Sequence, residues 1–199
     1  MSYTIVGFGK IGQALARAFT RKNINVTVAS RRPPEELEPE ARAIGPTVIA
    51  KSLRDALEAD TIILAVPFGE HREVANALPS WTGKTIIDAM NALVPPEELD
   101  GLSSSAFVAK SFTGAKLVKG FNHLPAANLA ADPIVEGGHR VVFLSSDDED
   151  AIAPVADLAK ELGFAPVKLG KLNEGGALVH ARDGIWGPLI FQDLFKEKQ

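Results

Sequence analysis

Apolar residues fall in short unbroken runs along most of this chain, and between the runs they recur at helical spacing. Residues 3–6, YTIV, form the first run, and after it Ile11, Leu15 and Phe19 stand four apart with Ala14 and Ala18 beside them, one apolar face of a helix. INVTVAS, TVIA, DTIILAVP and KTIIDAM predict four more strands, with residues 35–44, 53–59 and 70–78 as the helices between them. Continuous apolar strands, unlike alternating ones, are buried on both faces. Alternating with helices, they predict an α/β fold, a doubly wound and mostly parallel sheet.

Beyond Asn91 the rhythm changes. LVPPEELDGLSSSAF reads as a loop, residues 107–114 as a helix and AKLVKGFNHL as a strand with a loop at its carboxyl end. RVVFLSS predicts a strand, residues 148–162 a helix with acidic residues at its positive end, and APVKLG a last strand. The sheet is expected to occupy residues 1–170, leaving 171–199 as a short helical segment. There Trp186, Leu189, Ile190, Phe191, Leu194 and Phe195 crowd apolar area into too little chain to enclose it. A homodimer interface that also covers the site is the reading preferred over simple core packing.

Three glycines interrupt this pattern at its start. Gly7, Gly9 and Gly12, in IVGFGKIG, form G-x-G-x-x-G directly after a strand and at the opening of a helix. In that context the first glycine turns the chain, the second admits a pyrophosphate and the third lets helix and strand pack closely, the Rossmann dinucleotide fingerprint. Gly7, Phe8, Gly9, Lys10, Ile11 and Gly12 are therefore candidate cofactor residues, with the N–H groups of the helix start facing the phosphates.

The second strand says which dinucleotide. An NAD site places an acidic residue about 20 residues after the glycines. Here the strand ends in Ser30, Arg31 and Arg32 instead, a hydroxyl and two guanidiniums that can hold a 2'-phosphate by charge-assisted hydrogen bonds. NADP is the expected cofactor, against the blander reading of two solvated surface arginines. Ligands of an open α/β sheet sit beyond the carboxyl ends of its strands. Ala65, Val66 and Pro67 could wall the nucleotide there, and Asn91 could hydrogen-bond its ribose or carboxamide. Asn122 and His123 sit on the same edge, and His123 is the candidate acid or base, against a structural role in a loop. His71, on the first turn of a helix, reads as a polar surface residue.

Composition narrows the partners. The formal net charge is -4 with both signs scattered, which leaves no footprint for nucleic acid or an anionic membrane. The absence of cysteine removes disulfides, thiolate metal sites and thiol nucleophiles, and it fits a reducing cytoplasm. No metal-ligand spacing links the four histidines. The N-terminus has no leader pattern and the longest apolar run is too short to cross a bilayer, so a cytoplasmic protein is expected.

IVGFGKIGQALA, VTVASRR, DTIILAVPF, VKGFNHLPA and SSDDEDAIAPVADLAKELGFAPV together resemble the NADPH-dependent coenzyme F-420 (F420) reductase family, which includes the cytoplasmic reductase domains of metalloreductases. The resemblance implies NADP along the glycine loop with its 2'-phosphate on Ser30 and Arg31. It implies a deazaflavin, where that is the partner, stacked near His123, Leu124 and Pro125. Asn122 on the same strand edge and Trp186 in the apolar tail are the further candidate substrate residues, and a free flavin or a quinone is the alternative acceptor. Hydride transfer between two rings needs no protein nucleophile, because the cofactors carry the chemistry. Three classes follow: an NADPH oxidoreductase with a flat small-molecule redox acceptor, a dehydrogenase of a small carbonyl or imine using His123 as proton donor, and an NADP-sensing module without turnover. The glycine loop lacks the extra residue and threonine of deazaflavin-specific relatives, which leaves the acceptor open.

Overall fold

Strands too apolar to face water on either side set the centre of the molecule. The computed structural model describes residues 1–92 and 94–179. β1 (Tyr3–Val6), β2 (Val26–Ala29), β3 (Val48–Ala50), β4 (Thr61–Leu64), β5 (Thr85–Asp88) and β6 (Lys116–Lys119) form one parallel sheet in the order β3-β2-β1-β4-β5-β6. This is the α/β Rossmann order, and it reverses between β1 and β4, where a ligand crevice opens beyond the strand ends.

Alternate residues of each strand serve opposite faces. Ile5, Ile63, Ile87 and Val118 pack with Leu15 and Phe19 of α1 (Lys10–Arg21), Leu129 of α6 (Ala126–Ala130) and Leu158 of α7 (Glu149–Glu161). Ile62, Leu64, Ile86 and Leu117 pack the other way, against Val74 of α4 (His71–Ala75), Val108 of α5 (Ser104–Ala109), Trp81 and Phe112. Each buried aliphatic side chain contributes roughly 1.5–3 kcal/mol, so a polar replacement on either face would weaken the sheet. β2 runs into α2 (Pro34–Ile44), and β3 into the single turn of α3 (Leu53–Ala56).

The second half departs from the expected strand and helix alternation. A short hairpin, β7 (Ile134–Val135) and β8 (Gly138–His139), turns through Glu136 and Gly137, both at positive φ. Such a turn fits the right-handed twist of two paired strands. β9 (Val141–Leu144) and β10 (Ala165–Lys168) pair parallel with each other, and a bridge between Lys119 and Ser145 lays β9 antiparallel to the end of β6. The bridge ties this pair to the main sheet by two backbone hydrogen bonds of 2.8 and 3.1 Å.

Several helices differ from their expected bounds for local reasons. α5 begins at Ser104 rather than 107, because the Ser103 hydroxyl caps it by accepting from the Ala106 N–H. The helix expected at 70–78 is shorter and is preceded by a 3-10 turn, Phe68–Glu70. That turn carries His71 inward, which corrects the surface reading. His71 is buried, its Nδ1 donates to the Phe68 carbonyl, and its ring lies among Phe68 and Phe107. The last described helix is α8 (Gly175–Leu178). Trp186 and the apolar residues expected to form a dimer interface lie outside the described residues. No described helix is long and apolar enough to cross a membrane.

Two of the three early glycines are required by packing alone. Gly7 has φ +101°, and a Cβ on it would stand 2.4 Å from the Ala65 carbonyl oxygen. A Cβ on Gly12 would stand 1.9 Å from the Gly7 carbonyl oxygen, so α1 can start this close to β1 only without a side chain. Gly12→Ala should therefore lower stability by about 1–3 kcal/mol, the usual cost of overpacking, read as a fall in Tm and denaturant midpoint. An unchanged midpoint would show that helix and strand are not held at this distance.

Candidate active site

The crevice at the strand reversal holds a cavity of about 320 Å³, at the low end of the ~300–1,000 Å³ of ligand pockets. Its floor is the glycine loop, Gly7, Phe8 and Gly9, fixed by the Gly7 N–H on the Ala29 carbonyl at 2.8 Å. Ser30, Arg31 and Arg32 stand at one end, and Ala65, Val66 and Pro67 form a wall. Nine of the residues expected to hold a cofactor are thus together. Lys10, Ile11, Gly12 and Asn91 are not on the lining.

Gly9 is the glycine the protein itself does not need. A Cβ there would meet nothing within 4 Å, and its φ of -83° is one any residue adopts. The empty space lies before the N-terminus of α1, which has no side-chain cap and no acidic residue in its first turn. Free N–H groups and partial positive charge are left facing a groove into which backbone and ligand can come close, a fit for the pyrophosphate of a dinucleotide.

The two arginines are held differently. Arg32 donates to both carboxylate oxygens of Glu40, at 2.6 and 3.2 Å. Gln13 reaches the same carboxylate at 2.8 Å and the Phe8 carbonyl at 3.3 Å, tying Arg32 to the glycine loop. The hydrogen bonds from Arg32 hold the Glu40 carboxyl below its usual pKa. Arg31 instead reaches across to Glu70, 2.9 Å away. The Ser30 hydroxyl accepts from the Arg32 N–H at 3.0 Å, which leaves its own proton available for a ligand oxygen.

Sequence reasoning missed five lining residues. Val6, Leu53 and Val74 supply apolar wall, and Glu70 and Glu73 supply carboxylates. Leu53 and Val74 carried a helical-periodicity signal but nothing that marked them for a ligand. Glu70 arrives only because the 3-10 turn after Pro67 folds the chain back toward β2.

A second polar group lies at the ends of β5 and β6. Asp88 and Lys119 are register partners, both buried. The Ser105 hydroxyl donates to Asp88 at 2.5 Å while accepting from the Lys119 ammonium at 3.1 Å, and Ser104 accepts from the same ammonium at 3.3 Å. Burial pushes the Lys119 pKa down, opposed by the Asp88 carboxylate. The sequence signal was there, a lone charge closing each of two apolar strands, but periodicity gave it no partner. Next to it, Asn91 donates to the Asn122 carbonyl at 2.8 Å, and the Asn122 amide donates to the Asn91 side chain at 3.1 Å and to the Val179 carbonyl at 2.9 Å. This reciprocal pair clamps the two strand ends together.

His123, Leu124 and Pro125 follow that clamp and do not line the cavity. His123 is buried, with Nε2 donating to the Val141 carbonyl at 3.2 Å, Nδ1 unpartnered and the ring edge-on to Phe143. Burial pushes its pKa down to about 4, outweighing the hydrogen bond to Val141, and the Lys119 charge adds to the fall. It is a neutral ring in the protein interior at neutral pH. Among the described residues no cluster of histidine and carboxylate side chains could hold a metal ion.

Comparison with known proteins fits this geometry. Residues 2–92 match the family described as NADP oxidoreductase, coenzyme F420-dependent. A hypothetical protein from Sinorhizobium meliloti, SMa0349, is 41% identical, with a TM-score of 0.88 over 99% of this chain and 96% of its own. A protein from Arthrobacter sp. FB24, assigned as an F420-dependent NADP-reductase, shares the fold at 24% identity, TM-score 0.76, with both chains covered in full. The metalloreductase STEAP3 of Rattus norvegicus is 25% identical over 170 residues, 84% of this chain but 33% of the relative. The chain thus spans about a third of the length of the curated relatives it matches.

Buried neutral His123 carries a pH signature. Its folded pKa of about 4 lies below the ordinary 6.5, so its contribution is complete above pH 6.5 and is lost as pH falls toward 4. Denaturant unfolding at pH 7 and pH 5 should show His123→Gln losing roughly 2 kcal/mol less than the wild type over that interval. Equal losses would mean the ring is accessible to protons and free to act as an acid.

Proposed function

We propose that this chain, whose residues 2–92 match the coenzyme F420-dependent NADP oxidoreductase family, transfers hydride between NADPH and a flat acceptor of deazaflavin or flavin type. The observation that carries the NADPH half is the pairing of an open Gly9 cradle with a cavity end built from Ser30 and Arg31, where an NAD site would have a carboxylate. The free N–H groups of α1 hold the pyrophosphate, Ser30 and Arg31 hold the 2'-phosphate, and Leu53, Val66, Pro67 and Val74 hold the adenine face. The bound nicotinamide supplies the hydride, and the protein's part is alignment and exclusion of water.

The acceptor half rests on the loop after β6. The Asn91 and Asn122 clamp fixes the start of that loop, so His123, Leu124 and Pro125 form a rigid edge rather than a reactive one. A buried, neutral histidine suits a reaction that needs no protein acid, and disfavours the carbonyl or imine reductase in which His123 would protonate the product. Trp186 and a homodimer contact through residues 171–199 belong to the same reading as a cover over the acceptor.

Two measurements test it. NADPH mixed anaerobically with F420 or FMN should bleach one of these acceptors, and binding of NADPH without turnover on either would favour a sensing module. Arg31→Ala should weaken NADPH about 10- to 100-fold, the worth of a charge-assisted hydrogen bond, and change NADH less than about threefold. Equal losses for both dinucleotides would remove the 2'-phosphate from Arg31.

A further inference from the structure

The cation assigned to the 2'-phosphate is already engaged. Arg31 leaves the end of β2, crosses the mouth of the cavity and places Nη2 2.9 Å from Glu70 Oε1, on the 3-10 turn after β4. The two ends of this bridge differ in freedom. The Arg31 side chain is 71% exposed and that of Glu70 is 26% exposed. The Glu70 backbone is fixed by its N–H on the Pro67 carbonyl at 2.8 Å, and the next residue, His71, is buried. Arg32 is engaged as well, each of its terminal nitrogens donating to Glu40. Every guanidinium at this end of the cavity therefore already has a carboxylate.

We propose that Glu70 is a specificity residue, a carboxylate latch that holds Arg31 across the cavity and must yield it to the 2'-phosphate when NADPH binds. The inference rests on the reading of Arg31 as the 2'-phosphate site. A 2'-phosphate carries about -1.5 to -2 charge, like other phosphate monoesters at pH 7, and cannot share Arg31 with a fixed carboxylate without repulsion. A 2'-hydroxyl meets no such repulsion and can donate to a carboxylate. Glu70 thus weakens NADPH without penalising NADH, and it narrows the preference that Arg31 creates.

The test is a double-mutant cycle on the full chain, read by calorimetric or fluorescence titration with NADPH, NADH, 2',5'-ADP and 5'-AMP. Glu70→Gln keeps the shape and removes the charge. It should tighten NADPH and 2',5'-ADP about threefold, the range of an exposed ion pair, with NADH and 5'-AMP unchanged. In an Arg31→Ala background the same substitution should gain clearly less, because no latch remains to be released. Glu70→Asp keeps the charge but shortens the reach, and it should recover part of the gain. An unchanged or weakened NADPH affinity in Glu70→Gln, or an equal gain in both backgrounds, would overturn the latch. If Arg31→Ala costs NADPH nothing, the 2'-phosphate reading fails first, whatever Glu70 does.

Discussion

Everything at the candidate site depends on how closely α1 can start against β1. The Gly7 carbonyl and the Gly12 Cα are so near that a methyl group would stand 1.9 Å from the oxygen. That approach directs the first N–H groups of α1 over the strand end instead of into solvent, and it does so before any ligand is bound. The positive φ of Gly7 turns the chain into this position, with Ala65 of the neighbouring strand end packed against it. A binding groove made of backbone is preorganised, since there are few rotamers to lose on binding.

Charge is added around this rigid centre in two tiers. Arg32, Glu40 and Gln13 form a fixed frame that connects β2, α2 and the glycine loop. Arg31 and Glu70 form a second bridge through a single contact between the end of β2 and the 3-10 turn after β4, with the Arg31 side chain largely exposed. At the far end of the sheet Ser105 bridges the opposite charges of Asp88 and Lys119 in the interior, where an unpaired charge would be expensive. The Lys119 charge also reaches His123, on the loop after β6, and adds to the fall of its pKa.

The first half of the fold was legible because its signals are local. Unbroken β-branched runs, helical spacing at Ile11, Leu15 and Phe19, and three glycines at fixed offsets each state one thing about the backbone. Ser30 and Arg31 were legible for the same reason, since their place follows from the strand end. Glu70 and the paired Asp88 and Lys119 were not, because their meaning lies in contacts across the sheet. His71 misled because a 3-10 turn, invisible to periodicity, rotated it into the core. The β7 and β8 hairpin was written in Glu136-Gly137, but strands of two residues leave no apolar pattern.

Gly9 offers the most direct test of the central claim, that this groove is kept open for a dinucleotide and not for the fold. The apo protein should tolerate Gly9→Ala with a change in stability within about 1 kcal/mol, since a Cβ there touches nothing and only the modest N-cap preference is lost. Titration of the same variant with NADPH should show binding weakened at least about tenfold, because the methyl group stands where the pyrophosphate must approach. An affinity equal to that of the wild type would contradict the account and place the nucleotide elsewhere.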